Sequence, residues 1–291
     1  MKTRIITALC TPLSPDGSLS VDALEAHIED QWRHGISGLL IAGSMGQMQL
    51  QTDQVYRDLV EHGVRIGRGR GELMVGVGDT SFARTRDRIQ LVESLDIDGV
   101  VILAPYFFKF SQSQLIEYFC ALADVSTKPV YLYDIAVTVG TKIELDTVLA
   151  FAKHPNIRGI KCSGAWEETR QLMAAMDDNF RVIPAQPHLT DQLIRLGVPE
   201  NLDGVFGLVP GLTNELVSAA EAGDWKLAAD KQRQLSGLLH VMRSSGNVFG
   251  CAEALLRARG INCHITPAPL QSLTEEQMQQ FMSLPIVHSL L

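Results

Sequence analysis

Short apolar runs alternate along the chain with longer stretches whose apolar positions recur at helical spacing. The runs are "RIITALC" from 4, "GISGLLIAG" from 35, "ELMVGVG" from 72, "DGVVILAP" from 98, "KPVYLYD" from 128, "IRGIKCS" from 157, "FRVIPA" from 180 and "DGVFGLV" from 203. Each has strand length, and eight of them separated by helical patterns predict repeated βα units around a parallel sheet. From Arg4 to Asp203 the repeat averages about 28 residues, close to that of a (β/α)8 barrel. Among the intervening stretches, "SLSVDALEAHIEDQWRHG" puts Val21, Leu24, Ile28 and Trp32 on one face, with Ser20 as the predicted cap and Gly35 as the stop. "SQSQLIEYFCALA" opens with Ser111 and Gln114 at capping-box spacing. A doubly wound open sheet shares the alternation, but it normally has fewer strands and a glycine-rich phosphate turn after the first. Here "TPLSPDG" follows the first run, so the pattern predicts the α/β class with a TIM barrel.

Beyond the eighth run the pattern changes. "ELVSAAEAGDWKLAADKQRQLSGLLHVM" and "LTEEQMQQFMSL" read as helices with no further strand of this kind. The predicted organisation is a barrel over 1–212 and a helical appendage over 213–291, packed on the barrel because no low-complexity linker separates them.

Composition narrows the partners. The 291 residues are 46% hydrophobic and carry a formal net charge of −8, with both signs mixed along the chain. Neither a nucleic-acid footprint nor a polybasic membrane segment is present. The apolar part of "MKTRIITALCTP" is too short for a signal peptide, and no run reaches membrane-spanning length. Five scattered cysteines without a C-x-x-C pair predict neither a disulfide framework nor a metal site, which leaves a reducing cytoplasm as the expected compartment.

One residue is out of place in this pattern. Lys161 sits between an isoleucine and a cysteine in "RGIKCSG", at the end of the sixth predicted strand. Barrel active sites gather at the carboxyl ends of strands, and a desolvated neutral amine is a nucleophile toward ketones. Alternation along the strand puts Ser163 on the same side as Lys161 and turns Cys162 toward the helices. Tyr133, near the end of the fifth strand, is a candidate for moving protons. The bland alternatives are a lysine that snorkels to the rim and a tyrosine that only fills the core. Ser44, in the glycine-flanked turn "AGSMGQ" after the second strand, is a further candidate, in a turn that exposes backbone N–H groups to a carboxylate. His188 in "AQPHLT" is either a general base or an orienting group.

Together, "GIKCSG", "LYDIAVTVG", "GSMGQMQLQT" and "APYFFKFSQSQL" resemble the motifs of the dihydrodipicolinate synthase and N-acetylneuraminate lyase family of pyruvate-dependent class I aldolases, and the resemblance covers essentially the whole chain. It implies that Lys161 forms an imine with pyruvate or another 2-oxo acid, with Tyr133 as proton relay and Ser44 beside it. Substrate contacts are implied at Met45, Ser163, Val205, Phe107, Thr138 and His188. The resemblance also implies a homo-oligomer, dimer or tetramer, with no metal and no dissociable cofactor.

The departures from the family pattern are informative. Dihydrodipicolinate-forming members carry an arginine where this chain has Thr138, and where the family's tyrosine reaches into a neighbouring subunit's site as part of the proton relay this chain has Phe107, which cannot relay a proton. Sialic-acid lyases hold the sugar with an Asp-Glu pair where Pro187 and His188 stand, and with a serine where Leu208 stands. The expected activity is therefore a Schiff-base lyase acting on a 2-oxo acid, by aldol cleavage or condensation or by dehydration of a hydroxylated 2-oxo sugar acid. The alternatives are one of the two named enzymes proper, or a 2-oxo-acid-binding barrel with impaired turnover, to which Phe107 and Met45 point.

Overall fold

Eight parallel strands form one sheet in the computed structural model, which describes residues 2–290. Met1 and Leu291, the outer ends of the two predicted segments, lie outside the described residues. The strands are β1 (Arg4–Ala8), β2 (Gly38–Ile41), β3 (Glu72–Gly76), β4 (Gly99–Leu103), β5 (Val130–Asp134), β6 (Ile157–Cys162), β7 (Arg181–Pro184) and β8 (Glu200–Asp203). Their order, β7-β6-β5-β4-β3-β2-β1-β8, with helices after the strands, is that of a (β/α)8 barrel, and five helices from Pro210 onward follow it. The chain packs as two units, Met1–Gly71 with Pro187–Leu291, and Glu72–Gln186.

Seven of the eight apolar runs contain their strand, and the eighth does not. β8 is the polar tetrapeptide Glu-Asn-Leu-Asp, while Val205–Leu208 forms a short helix. The run from 203 was therefore one element too late, and Val205 lies on that helix. The polar strand is tolerated because its groups are paired. Glu200 takes Arg4 at 3.4 Å, and Asn201 donates to Thr190 Oγ1 at 3.1 Å.

Local signals fared unevenly. Ser111 and Gln114 form the expected capping box. Ser20 stands at the N-cap of Val21–Arg33, yet its side chain makes no capping hydrogen bond; Gly35, at φ 73°, supplies the left-handed stop.

The unit Glu72–Gln186 holds β3 to β7. All five residues of β5 are buried, as expected of a parallel strand covered on both faces. Near the amino ends of its strands Arg181 pairs with Glu72 at 2.6 Å, donates to Tyr131 Oη at 3.1 Å and lies over the Tyr131 ring. Gly99 and Gly159 make room for this layer: a Cβ on Gly99 would fall 2.6 Å from the Tyr131 ring, and one on Gly159 2.3 Å from the Arg181 carbonyl oxygen.

Candidate active site

β5 and β6 pair so that Tyr133 stands opposite Lys161 and Asp134 opposite Cys162. Lys161 is 3% exposed, and its Nζ lies 4.1 Å from the centroid of the Tyr133 ring. Among the described residues no carboxylate forms an ion pair with it. An ammonium over a ring face in a dry site gains about 2 kcal/mol, which offsets only part of its desolvation cost. Ser163 Oγ donates to Tyr133 Oη at 3.2 Å. An amine, a phenol and an aliphatic hydroxyl thus meet at the carboxyl ends of two neighbouring strands, in reach for nucleophilic attack on a carbonyl and for proton transfer.

The strand ends are held from behind. The Asp134 carbonyl accepts from the Ser163 N–H at 3.0 Å, which places the serine against the tyrosine. The Asp134 carboxylate faces outward, pairs with Lys142 and accepts from the Ile143 N–H, and Lys142 in turn reaches Glu168 at 2.7 Å. Cys162 shares this outer side, as strand alternation predicts. Burial first, and the Asp134 charge second, push its thiol up to about 12, so it is no nucleophile at neutral pH. The cavity of about 260 Å³ that opens beside Asp134, Lys142, Cys162 and Glu168 therefore belongs to the helix side of β6 and not to the Lys161 face.

Two loops of the same unit carry other sequence candidates. Phe107 is 87% exposed and held at φ 89°, a strained conformation for a bulky residue, with its ring edge-on to Phe108. Thr138 is exposed on the short helix Ala136–Val139, beside Val137, which is 91% exposed. Neither touches Lys161 or Tyr133 by a hydrogen bond. The neighbouring Tyr106 donates to Asp79, and burial followed by the Asp79 charge raises its pKa. Asp79 also pairs with Arg88 at 2.9 Å and Arg84 at 3.0 Å. Burial pushes the Asp79 carboxyl up, but hydrogen bonds from Arg84 and the Thr80 amide, with the Arg88 charge, hold it below its ordinary value.

The remaining candidates lie in the other unit. Ser44, Met45 and Gly46 form one turn of 3-10 helix after β2, flanked by Ala42 at φ 54° and Gln47 at φ 47°. The amides of Gly46 and Gln47 are spent on the turn itself, to Gly43 and Ser44 carbonyls at 3.0 and 3.1 Å. The Gly46 carbonyl accepts from Thr11 Oγ1 at 2.6 Å. Met45 lies on Gly204, where a Cβ would come 2.5 Å from its Cγ, and Val205 follows directly. His188 sits on the 3-10 turn Pro187–Leu189. Although much of this residue meets solvent, partial burial first, and the Arg243 charge second, lower its pKa against the pull of Asp203.

Sequence reasoning thus found the Lys161, Tyr133 and Ser163 cluster and missed its support. The Asp79 and Asp134 ion networks were legible only as an acid followed by basic residues on the next turn or loop, a pattern common on solvated surfaces.

The family model described as the dihydrodipicolinate synthetase family matches residues 1–285. A curated 4-hydroxy-tetrahydrodipicolinate synthase of an Exiguobacterium species is 28% identical over 284 residues, covering 97% of each chain. One from Listeria innocua is 31% identical over 280 residues, covering 94% of each. Among solved structures, a dihydrodipicolinate synthase from Acinetobacter baumannii complexed with pyruvate superposes with a TM-score of 0.89 at 21% identity, covering 100% of this chain and 99% of that one. The N-acetylneuraminate lyase of Proteus mirabilis gives 0.90 at 22%, covering 99% and 98%. With a match that runs almost from end to end, this chain belongs to the dihydrodipicolinate synthetase family, whose members are lyases.

Proposed function

We propose that this protein is a cytoplasmic class I lyase that works through an imine between Lys161 and a 2-oxo acid such as pyruvate. The observation that carries the proposal is the buried, carboxylate-free Lys161 amine resting on the Tyr133 ring, with the Ser163 hydroxyl bonded to that phenol. The neutral amine attacks the ketone carbon, and loss of water leaves an iminium. The iminium draws electrons from the adjacent carbon. In condensation that carbon loses a proton to give an enamine, which bonds to an aldehyde carbon as the aldehyde oxygen takes up a proton. Cleavage is the reverse, and water finally releases the product and restores the amine. No metal or dissociable cofactor enters these steps. Tyr133 moves the protons, and the motif match extends the relay to Ser44.

Borohydride trapping with pyruvate tests this. A reduced adduct on Lys161, absent from Lys161→Ala, is the expected result; no adduct where a control aldolase is labelled sinks the proposal. Tyr133→Phe is expected to lower kcat by about 10²- to 10⁴-fold while an adduct still forms on longer incubation.

The named activity of the curated relatives is a second reading, favoured by their similarity along the whole chain. The exposed Thr138, in place of a carboxylate-gripping arginine, weighs against it, and a direct assay with pyruvate and aspartate semialdehyde decides. A homo-oligomer belongs to the main proposal: a second copy would cover Phe107. Light scattering on the purified protein measures it.

A further inference from the structure

Ser163 opens the short loop 163–165 after β6, and the residue next to it, Gly164, has no side chain by which the loop could be gripped. A Cβ on Gly164 would come 3.1 Å from Glu168 Oε2 and 3.2 Å from Lys142 Nζ, so the ion pair behind the loop packs directly on its backbone. The residues on either side of Ser163 are held through their carbonyls by the end of β7. Ala185 donates its N–H to the Cys162 carbonyl at 2.8 Å, and the Gln186 carboxamide donates from Nε2 to the Gly164 carbonyl at 2.6 Å. The Ser163 N–H itself goes to the Asp134 carbonyl. Two of these three bonds are main-chain bonds that other residues in the same register would also make; the third depends on the side chain at 186. Gln186 is 2% exposed. Ordering and desolvating a carboxamide is costly, and the bond to a loop carbonyl offsets that cost.

We propose that Gln186 is a positioning residue of the proton relay: by holding the Gly164 carbonyl it keeps the Ser163 hydroxyl on the Tyr133 oxygen, a role that rests on the imine reading. In that reading Tyr133 gives its proton to the hydroxyl that leaves as water when the iminium forms. The resulting phenolate then takes a proton from the methyl carbon of the bound pyruvate, and the enamine remains. Ser163 Oγ donates to the phenol oxygen at 3.2 Å and so stabilises the negative charge that develops there. A serine let go by its loop loses that alignment, and small displacements are enough to slow a positioned reaction.

The test needs pyruvate alone and uses the full chain. Borohydride trapping reports the imine. Exchange of the pyruvate methyl protons in D2O, followed by NMR, reports the relay: a proton leaves the methyl carbon for the phenolate, and the phenol, equilibrated with D2O, returns a deuteron. Gln186→Met keeps the volume and lacks the donor, and Gln186→Ala removes the donor without filling the space, so that a folding failure in one leaves the other to be read. Each is measured with and without Ser163→Ala. Trapping on Lys161 is expected to persist throughout. Loss of the Gln186 donor is expected to lower kcat for exchange about 10- to 100-fold, with KM for pyruvate within about threefold. In the Ser163→Ala background the same change is expected to cost less than about twofold, because it acts through that hydroxyl. With the adduct formed, three results overturn the proposal and leave the imine reading standing: an unchanged kcat, a loss confined to KM, or an equal loss with and without the Ser163 hydroxyl. An adduct without methyl exchange in the unsubstituted protein, or a Ser163→Ala protein that exchanges as fast as it, overturns the proposal as well. Absence of the adduct sinks the imine reading and the role of Gln186 with it.

Discussion

Lys161 is where the cost of one side chain and its proposed use meet. Its amine is buried against an aromatic ring without a carboxylate partner among the described residues, an arrangement that a fold selected only for stability would fill with an apolar group. Lys161→Met keeps the volume and removes the polar head. It is expected to leave stability unchanged or raise it by about 1 kcal/mol while abolishing the borohydride adduct, as read by urea unfolding and mass spectrometry. Lys161 and Tyr133 were legible because their chemical type conflicts with, or adds to, an otherwise apolar strand. The left-handed backbone of Phe107 and the packing of Met45 on Gly204 left no such mark, since neither changes the residue pattern along the chain.

At the scale of elements, register decides. Tyr133 faces Lys161, and the serine two residues past it reaches the tyrosine, only because β5 and β6 pair in this register. Gly159, two residues before Lys161, is part of that fit. Gly159→Ala would push a methyl group against the Arg181 carbonyl oxygen, and the neighbouring backbone has nowhere to go. A loss of about 2 to 3 kcal/mol in urea unfolding, with weakened trapping on Lys161, is expected; an unchanged midpoint would show that β6 and β7 are not this tightly packed. The periodicity of apolar runs placed seven strands. It failed at β8 because periodicity records burial by apolar residues, and Glu200, Asn201 and Asp203 occupy strand positions through specific polar partners.

For the whole molecule, one buried histidine makes stability depend on pH. His27, on the helix Val21–Arg33, is fully buried, and its pKa falls from 6.5 to about 4, first through burial, with Asp30 pulling it up and Arg259 pushing it down. The unfolded chain therefore binds a proton that the folded chain refuses between those two values. Stability contributed by the neutral ring is present in full above pH 6.5 and is lost as pH falls toward 4, up to roughly 3 kcal/mol. His27→Gln is expected to flatten that part of the pH–stability curve; an identical curve would assign the acid loss to other groups. Among the described residues no helix is long and apolar enough to cross a membrane. The sequence by itself determined the class of fold and singled out the candidate nucleophile, because strand and helix periods are local properties and a lysine in an apolar strand is visible without coordinates. Only the tertiary structure decided which polar strand completes the sheet, how Asp134 anchors the serine, and which cations are already neutralised. Those depend on partners such as Ser163 and Tyr133, 30 positions apart in the chain, that meet only when the sheet sets its register.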